Sequence, residues 1–527
     1  MKRIALALAT GVLLVSFAPM ARAQISDPAL LDSLQASGFR YFWYQANPAN
    51  GLIRDRSVVG SPCSIASTGF GLSAICVGVD HGYVTRAAAR QRVVTTLRTF
   101  WFGPQGTAVN GMMGYQGLFY HWITMDTGVR MWSSELSTID TALLLAGILD
   151  CREYFNLTDT TEVAIRALAD SIYRRVNWHF VALGSNGPIY MGWKPENGFA
   201  DFGTWQGYNE ASILYLLAIG SPTNGLPGGL WKGWWCKGYR WQTWNGYSFI
   251  NFPPLFGHQY THCWIDFQNI QDDTMRVRGI TYFENSRRAT LAQRNYCIAN
   301  PGGYLAYSDS LWGITASDDP FGYSARGAPP NQGDNGTLVP TAALSSIWFT
   351  PAESQQVAHT LWNNFHDELW GPYGFRDAFN FDRGWYDTDY LGIDQGPIVL
   401  MIENYLTGGP AKRVTYNADI QRALSLANFQ PIATGSVPRP APGVALGLST
   451  EPNPAANAGR IRFRLPVAAW VRVSVFDVRG RLIERPVDGW REAGEHVVAA
   501  ADPGPGLYFV RLEAAGAART QKWIRLQ

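Results

Sequence analysis

DYLGIDQGPIVLMIENYLTG, residues 389–408, predicts a helix with no wet face. Its middle, Pro397 to Tyr405, is mostly apolar and belongs in a core. Yet Asp394 stands at its head, behind two more acids, Asp387 and Asp389. A helix apolar all round is an inner helix; one with a charged face is an outer one. Five other runs have the same inner character: STGFGLSAICVGV (67–79), STIDTALLLAGILDC (137–151), NEASILYLLAIG (209–220), PLFGHQYTHCWIDF (254–267) and GTLVPTAALSSIWF (336–349). Amphipathic stretches such as TRAAARQRVVTTLRTFWF, TDTTEVAIRALADSIYRRV and SRRATLAQRNYCI lie between or beside them. Outer partners are counted from near residues 30, 85, 159, 281, 351 and 416. Six inner helices ringed by outer ones make a mainly α fold, an (α/α)6 toroid. Between the runs at 209 and 254 an outer helix is missing, and a Trp-rich loop, 221–253, stands in its place.

The chain has 527 residues, 46% hydrophobic, enough for a large core and more than one domain. With 43 basic and 41 acidic residues and no block of like charge, nucleic acid and anionic membrane are poor partners. The opening MKRIALALATGVLLVSFAPMARAQ has a basic start, a short apolar run and a small-residue end, so residues 1–23 read as an export signal cleaved after Ala23. No other stretch is long enough to span a membrane. The six cysteines, 63, 76, 151, 236, 263 and 297, allow fifteen full pairings. Cys76, Cys151 and Cys263 lie in apolar helix-like runs and suit buried thiols. No CxxC occurs, so no structural zinc is expected.

After residue 430 the pattern changes. PIATGSVPRPAPGVALGLST is linker-like, with 431–446 as the linker itself. From 447 to 527, RIRFRLP, WVRVSVFDV, EHVVAA and LYFVRLEA alternate with period two, as strands of a small C-terminal β-sandwich do. STEPNPAANAGRIRFRLP, VRVSVFDVRGRLI and GLYFVRLEAAG resemble the C-terminal sorting domain of type IX secretion and the related FlgD-like sandwich. That resemblance implies export or surface attachment in a Gram-negative-type bacterium, with the periplasm as the other location, and no chemistry.

Residues 24–430 should therefore hold the chemistry. Glu210 opens one inner run, with Asn209 as its cap; Asp394 opens another; Ser137-x-x-Asp140 opens a third, with Glu135 just before it. In a toroid the inner helices run one way, so these acids converge on one cleft. Glycoside hydrolysis needs such a pair, one acid to protonate the leaving oxygen and one to activate water. Each acid also has a structural reading. Ser-x-x-Asp is a capping box, Asp394 would cap its helix, and Glu210 suits the helix dipole. Glu403, deep in its run, reads as a core hydrogen-bonding group that orients others.

MWSSELSTIDTALLLAGIL, GWKPENGF, PLFGHQYTHCWIDF, YFENSRRATLAQRNYCIANP, WGITASDDPFGY, DNGTLVPTAALSSIWFTP and IDQGPIVLMIENYLTG together resemble the glycoamylase-like family, which includes bacterial endo-β-1,2-glucanases. The resemblance spans about 130–410. It implies an (α/α)6 fold, inverting hydrolysis of β-1,2-glucan, no cofactor and no metal. It carries the general acid onto Glu210 and the base onto Asp394, with Asp140 next and Asp387 third. Glu135, Asp318, Asp387, Trp193, Trp205, Trp312, Tyr390 and His262 follow as substrate-binding residues. A secreted monomer acting on a β-glucan polysaccharide or oligosaccharide is the expectation. The alternatives are another β-glucan or β-glucoside as substrate, or a non-catalytic carbohydrate-binding surface protein. His258-x3-His262 has metal-ligand spacing without a third ligand, and so reads as cleft lining or core. Trp231, Trp234, Trp235, Trp241 and Trp244 form either an aromatic wall or a packing patch.

Overall fold

The protein is described by a computed structural model covering residues 25–184, 186–432, 446–456, 459–465, 469–491, 494–500, 503–514 and 517–526. The export segment expected at 1–23 and most of the expected linker lie outside these residues. The chain divides into two compact units at Pro431/Ile432. The first is mostly helical and the second is made of strands.

Four of the six apolar runs are the buried helices Ile65–Asp80, Thr138–Tyr154, Ser212–Gly220 and Gly392–Leu406. The amphipathic stretches form Asp27–Tyr44, Arg86–Phe102, Thr160–Arg175, Tyr282–Ala299, Pro351–Asn364 and Ala418–Leu426. These bury one face only; in Thr160–Arg175 it is Glu162, Ile165, Ala169, Ile172 and Tyr173. Such a stripe at helical spacing is what binds a surface helix to a core.

The other two apolar runs are not continuous helices. Residues 254–267 hold only Phe256–Gln259 and the 3-10 turn Thr261–Cys263. Residues 336–349 hold only Pro340–Leu344. Apolar content buried both, but local chemistry broke them. Pro253 and Pro254 precede the first. In the second, the Ser346 hydroxyl (2.8 Å) and the Gln259 side-chain amide (2.8 Å) both donate to the Ala342 carbonyl, competing with helical hydrogen bonds.

Thr138–Tyr154 packs along Ile65–Asp80, which packs along Gly392–Leu406. The first crossing is backbone to backbone, since a Cβ on Gly147 would strike the Gly69 carbonyl. Ser212–Gly220 follows on the other side of Thr138–Tyr154. The amide of Ile213 donates to Thr261 Oγ1 (3.2 Å), and Thr341 Oγ1 donates to the Asp394 carbonyl (2.8 Å). Short β-pairings lace together the loops at the heads of these helices: Arg56 with Leu391, Cys63–Ser64 with Trp122–Ile123, and Leu136–Ser137 with Gly192–Trp193.

The Trp-rich insertion is a packing patch. Trp231 and Trp235 are 1% and 0% exposed, and Trp231 Nε1 donates to Asp272 Oδ2 at 2.6 Å. A hairpin, Trp241–Trp244 with Tyr247–Ile250, turns on Asn245 and Gly246, both with positive φ as a type I′ turn requires. All six cysteines are buried and free, with Cys76 and Cys151 Sγ atoms 3.7 Å apart.

Among its described residues the second unit has seven strands in two antiparallel sheets: β1 Gly447–Glu451, β2 Arg460–Leu465, β3 Ala469–Asp477, β4 Leu482–Arg491, β5 Gly494–Ala499, β6 Gly506–Ala514 and β7 Ala517–Arg525. Their orders are β1-β2-β5 and β4-β3-β6-β7. Ile461 and Phe463 of one sheet share a core with Val473, Val475, Val510 and Leu512 of the other, which is how a sandwich buries alternate residues. Among the described residues no helix is long and apolar enough to cross a membrane.

Candidate active site

Asp394 lies in the first turn of Gly392–Leu406, but it does not cap it. The cap position is Leu391, with no side-chain capping bond, and the Asp394 amide donates to the Leu391 carbonyl at 3.1 Å. The capping reading is thus corrected: the side chain points into the protein, is 3% exposed, and its Oδ2 has no hydrogen-bond donor. Pro397, lacking an N–H, leaves the Ile393 carbonyl without its helical partner, and Tyr260 Oη donates there instead (3.0 Å).

Asp377 packs directly against Asp394, carboxyl to carboxyl. Nothing in the sequence reading singled it out. Its Oδ2 accepts the Asp318 amide (3.0 Å), while its Oδ1 is buried without a donor. Burial, and then the Asp394 charge, push Asp377 well above the usual carboxylate range. Burial raises Asp394 as well, against the hydrogen bond from Asp377. The pair holds a proton where two isolated aspartates would hold none.

Around this pair, Arg56 Nη1 reaches Asp318 Oδ2 (2.8 Å) and Asp389 Oδ2 (3.4 Å), and Arg56 Nε lies 3.7 Å from Asp55 Oδ2. Asp387 Oδ1 accepts the amides of Thr388 (2.6 Å) and Asp389 (3.0 Å), and its Oδ2 is left without a donor. Burial raises Asp387, helped by Asp318 and Asp389. The turn carrying Asp318 is clamped by buried Arg326, which donates to Asp319 Oδ2 (2.6 Å) and the Asp318 carbonyl (3.0 Å).

Glu210 stands just ahead of Ser212–Gly220. Asn209 does not cap that helix; its Oδ1 accepts the Ala211 amide (2.9 Å) and so shapes the turn that presents Glu210. Glu210 Oε2 is buried without a donor. Burial, with some help from the Asp140 charge, pushes Glu210 up to about 7. Asp140 sits in the first turn of its helix, where Ser137 Oγ both accepts its amide (3.2 Å) and donates to its Oδ2 (2.5 Å). The capping box is real, and Asp140 has a second neighbour. His121 Nε2 is 3.6 Å from Asp140 Oδ2, and His121 Nδ1 is 2.9 Å from Glu135 Oε1. The imidazole stacks on Trp122 with centroids 3.7 Å apart. Burial opposes an imidazolium, but the charges of Asp140, Glu135 and Asp55 prevail and push His121 up to about 9. His121 also escaped the sequence reading.

Of the expected sugar-binding residues, Glu135, Asp318 and Asp387 fall in these clusters. Trp193 and Trp205 are half-buried beside the Thr138 helix head, Trp193 through its pairing with Leu136 and Trp205 Nε1 through Thr138 Oγ1 (3.0 Å). Three others are buried. Trp312 and His262 (1% exposed each) lie in the core, and Tyr390, at 3%, is as buried as Asp394. His262 Nε2 and His258 Nδ1 both meet Ser286 Oγ, and burial pushes each imidazole down to about 3. Glu403 is the buried hydrogen-bonding group expected, and it lies away from these clusters. Nine residues along from Asp394, it lies about 13 Å down the helix, bound to His81 Nε2 (2.7 Å), Gln35 Nε2 (3.1 Å) and Thr407 Oγ1 (2.6 Å).

Two sets, His121–Glu135–Asp140 and Asp318–Asp387–Asp389, bring ligand atoms within 4.8 Å of one another. Each already has a cation from the protein, His121 itself in the first and Arg56 in the second.

Comparison with known proteins follows this geometry. The family description "Putative glucoamylase" matches residues 203–417, and "Secretion system C-terminal sorting domain" matches residues 452–526. An endo-β-1,2-glucanase from Chitinophaga pinensis, solved with sophorotriose and glucose, is 30% identical, covers 77% of this chain and 99% of its own, and superposes with a TM-score of 0.71. A Bacteroides uniformis protein of the same glucoamylase description is 34% identical over 78% of this chain and 99% of its own, with a TM-score of 0.72. An exo-β-1,2-glucooligosaccharide sophorohydrolase of Parabacteroides distasonis is 31% identical over 433 aligned residues. That match covers 76% of this chain and 58% of the relative, so the chain spans little more than half of that curated protein.

Proposed function

The chain belongs to the glycoamylase-like family and carries a type IX secretion sorting domain that directs it to the cell surface or beyond; from that premise we propose that it is an endo-acting β-1,2-glucanase with an (α/α)6 catalytic domain, working by inversion. One observation carries the reading. Glu210 and Asp394, at the heads of two inner helices, each keep a buried carboxylate oxygen with no donor and a raised proton affinity. Glu210, pushed up to about 7, keeps a proton to give. It passes that proton to the glycosidic oxygen as the C1–O bond breaks. Asp394 takes a proton from the water that attacks C1 from the opposite face. Solvent then returns the proton to Glu210. Asp140 is the less suited candidate, because a serine hydroxyl and His121 already occupy its carboxylate. Glu135, Asp318 and Asp387 stand ready to bind glucosyl hydroxyls. The order of neighbouring inner segments, from Thr138–Tyr154 through Ile65–Asp80 to Gly392–Leu406 and on to Pro340–Leu344, supports closure into a six-membered ring.

The exo-acting relative supports a second reading, release of sophorose from chain ends. The near-complete match to the endo-acting enzyme favours the first. The test is incubation with linear β-1,2-glucan. A ladder of oligosaccharides early in the time course supports endo action, and sophorose alone from the start refutes it. Asp394→Asn should fold with parent-like melting and lose activity ~10²-fold or more. If it stays active while Asp140→Asn or Asp387→Asn is dead, the base is misassigned.

A further inference from the structure

We propose that Asp377 is the positioning residue for the base: it holds the shared proton of the buried carboxyl pair and donates it as a hydrogen bond to Asp394, leaving Asp394 ionised and aimed. This deepens the reading above and rests on Asp394 being the base.

The geometry gives Asp377 few other tasks. Its backbone amide donates to the Asp389 carbonyl (3.1 Å) and its Oδ2 accepts the Asp318 amide (3.0 Å), so the residue is held at its backbone and at one carboxyl oxygen. The Asp318 amide favours the charged form of Asp377, but burial and the Asp394 charge outweigh it, and the contact leaves Oδ1 for the proton. That remaining oxygen is buried without a donor, as is Oδ2 of Asp394. Two buried carboxylates in contact cannot both be ionised, and one proton between them satisfies both orphan oxygens at once. The proton belongs on Asp377 because the cation of the neighbourhood favours charge on its partner. Arg56 lowers Asp394, whereas Asp377 is raised by the charges of Asp394 and Asp387.

Other groups face the pair from every side. Asp318 and Asp55 oppose ionisation of Asp394. Arg326 senses Asp377 from the clamped turn. Tyr260, its phenol raised by burial and then by Asp394, and half-exposed Tyr323, raised as well, stay neutral through the working range.

The test is the pH dependence of kcat/KM on β-1,2-glucan for the full chain and two variants. Asp377→Ala removes the donor to a buried carboxylate, which should move the acid limb upward by about one to two pH units. Asp377→Asn can keep the Asp318 amide contact through its oxygen and donate its N–H to Asp394, so it should restore the limb to within a few tenths of the parent. Circular dichroism and melting confirm that each variant is folded. An acid limb that Asp377→Ala leaves in place, or an Asp377→Asn as displaced as Asp377→Ala, overturns the inference while leaving the base assignment standing. An active Asp394→Asn removes the base assignment itself, whatever the Asp377 variants do.

Discussion

Replacing Glu210 by Gln should inactivate the protein and stabilise it, and the stabilisation should depend on pH. The folded protein raises this carboxyl from 4.5 to about 7, mainly by burial. A carboxyl with a raised folded pKa is harmless below its unfolded pKa, where both states are protonated. As pH climbs from 4.5 to 7 the unfolded state ionises first, and folding becomes costlier by about 1.4 kcal/mol per unit. Above pH 7 the cost levels off at about 3 kcal/mol. Gln has the same shape and never ionises. The difference in stability between Glu210→Gln and the parent should thus be near zero at pH 4 and about 3 kcal/mol at pH 8. With an unfolding entropy near 2.1 cal/mol/K per residue, that amounts to about 4 °C in Tm for a unit of ~400 residues. Melting both proteins from pH 4 to 8 isolates Glu210, since every other group is common to both. A Tm difference that does not change with pH would refute the claim that this carboxyl is held protonated, and with it the general-acid role.

His121 gives the opposite sign. Its folded pKa is pushed up to about 9, above the usual 6.5, so its contribution to stability is fully present below 6.5 and lost as pH rises through 9. His121→Asn should melt below the parent at pH 6, by a margin worth about 2 to 3 kcal/mol, and that margin should vanish by pH 10; a constant margin would mean a packing effect alone. A chain ending near Pro431 should fold and hydrolyse glucan at the parent rate, because each unit has its own core. A truncated protein that melts cooperatively but is inactive would refute the separation of roles.

Helices were legible where one periodicity decided them. Thr160–Arg175 and Gly392–Leu406 follow from an apolar stripe and an apolar run. Residues 254–267 and 336–349 are equally apolar, but Pro, Gly and Ser chemistry divided them, and composition cannot show which carbonyl a serine hydroxyl will take. Glu210 and Asp394 were readable because an acid heading an apolar run is conspicuous. Arg56 was not, because its partner Asp318 is 262 positions away. Asp377 left no such signal, since in GFRDAF (374–379) it follows Arg376 as a surface acid would. The burial of Trp312 and His262 was not legible for a different reason. Sitting in a family motif fixes a residue's neighbourhood and not the direction of its side chain.

The crowding of acids, which would look like a defect in a fold, is what prepares the site. Arg56 touches Asp318 and Asp389, and His121 touches Glu135 and Asp140. Among the described residues neither cation makes an ion pair with Glu210 or with Asp394. The carboxylates that have been given a cation can bind sugar hydroxyls as fixed acceptors. Glu210 and Asp394 have no such partner, and burial raises the proton affinity of both. A cleft neutralised more completely would leave Glu210 ionised and with nothing to donate. A cleft without Arg56 would hold Asp394 protonated and unable to accept. Two cations set among many acids divide the carboxyls into those that bind and those that exchange protons, and burial raises the proton affinity of Glu210 and of Asp394 alike.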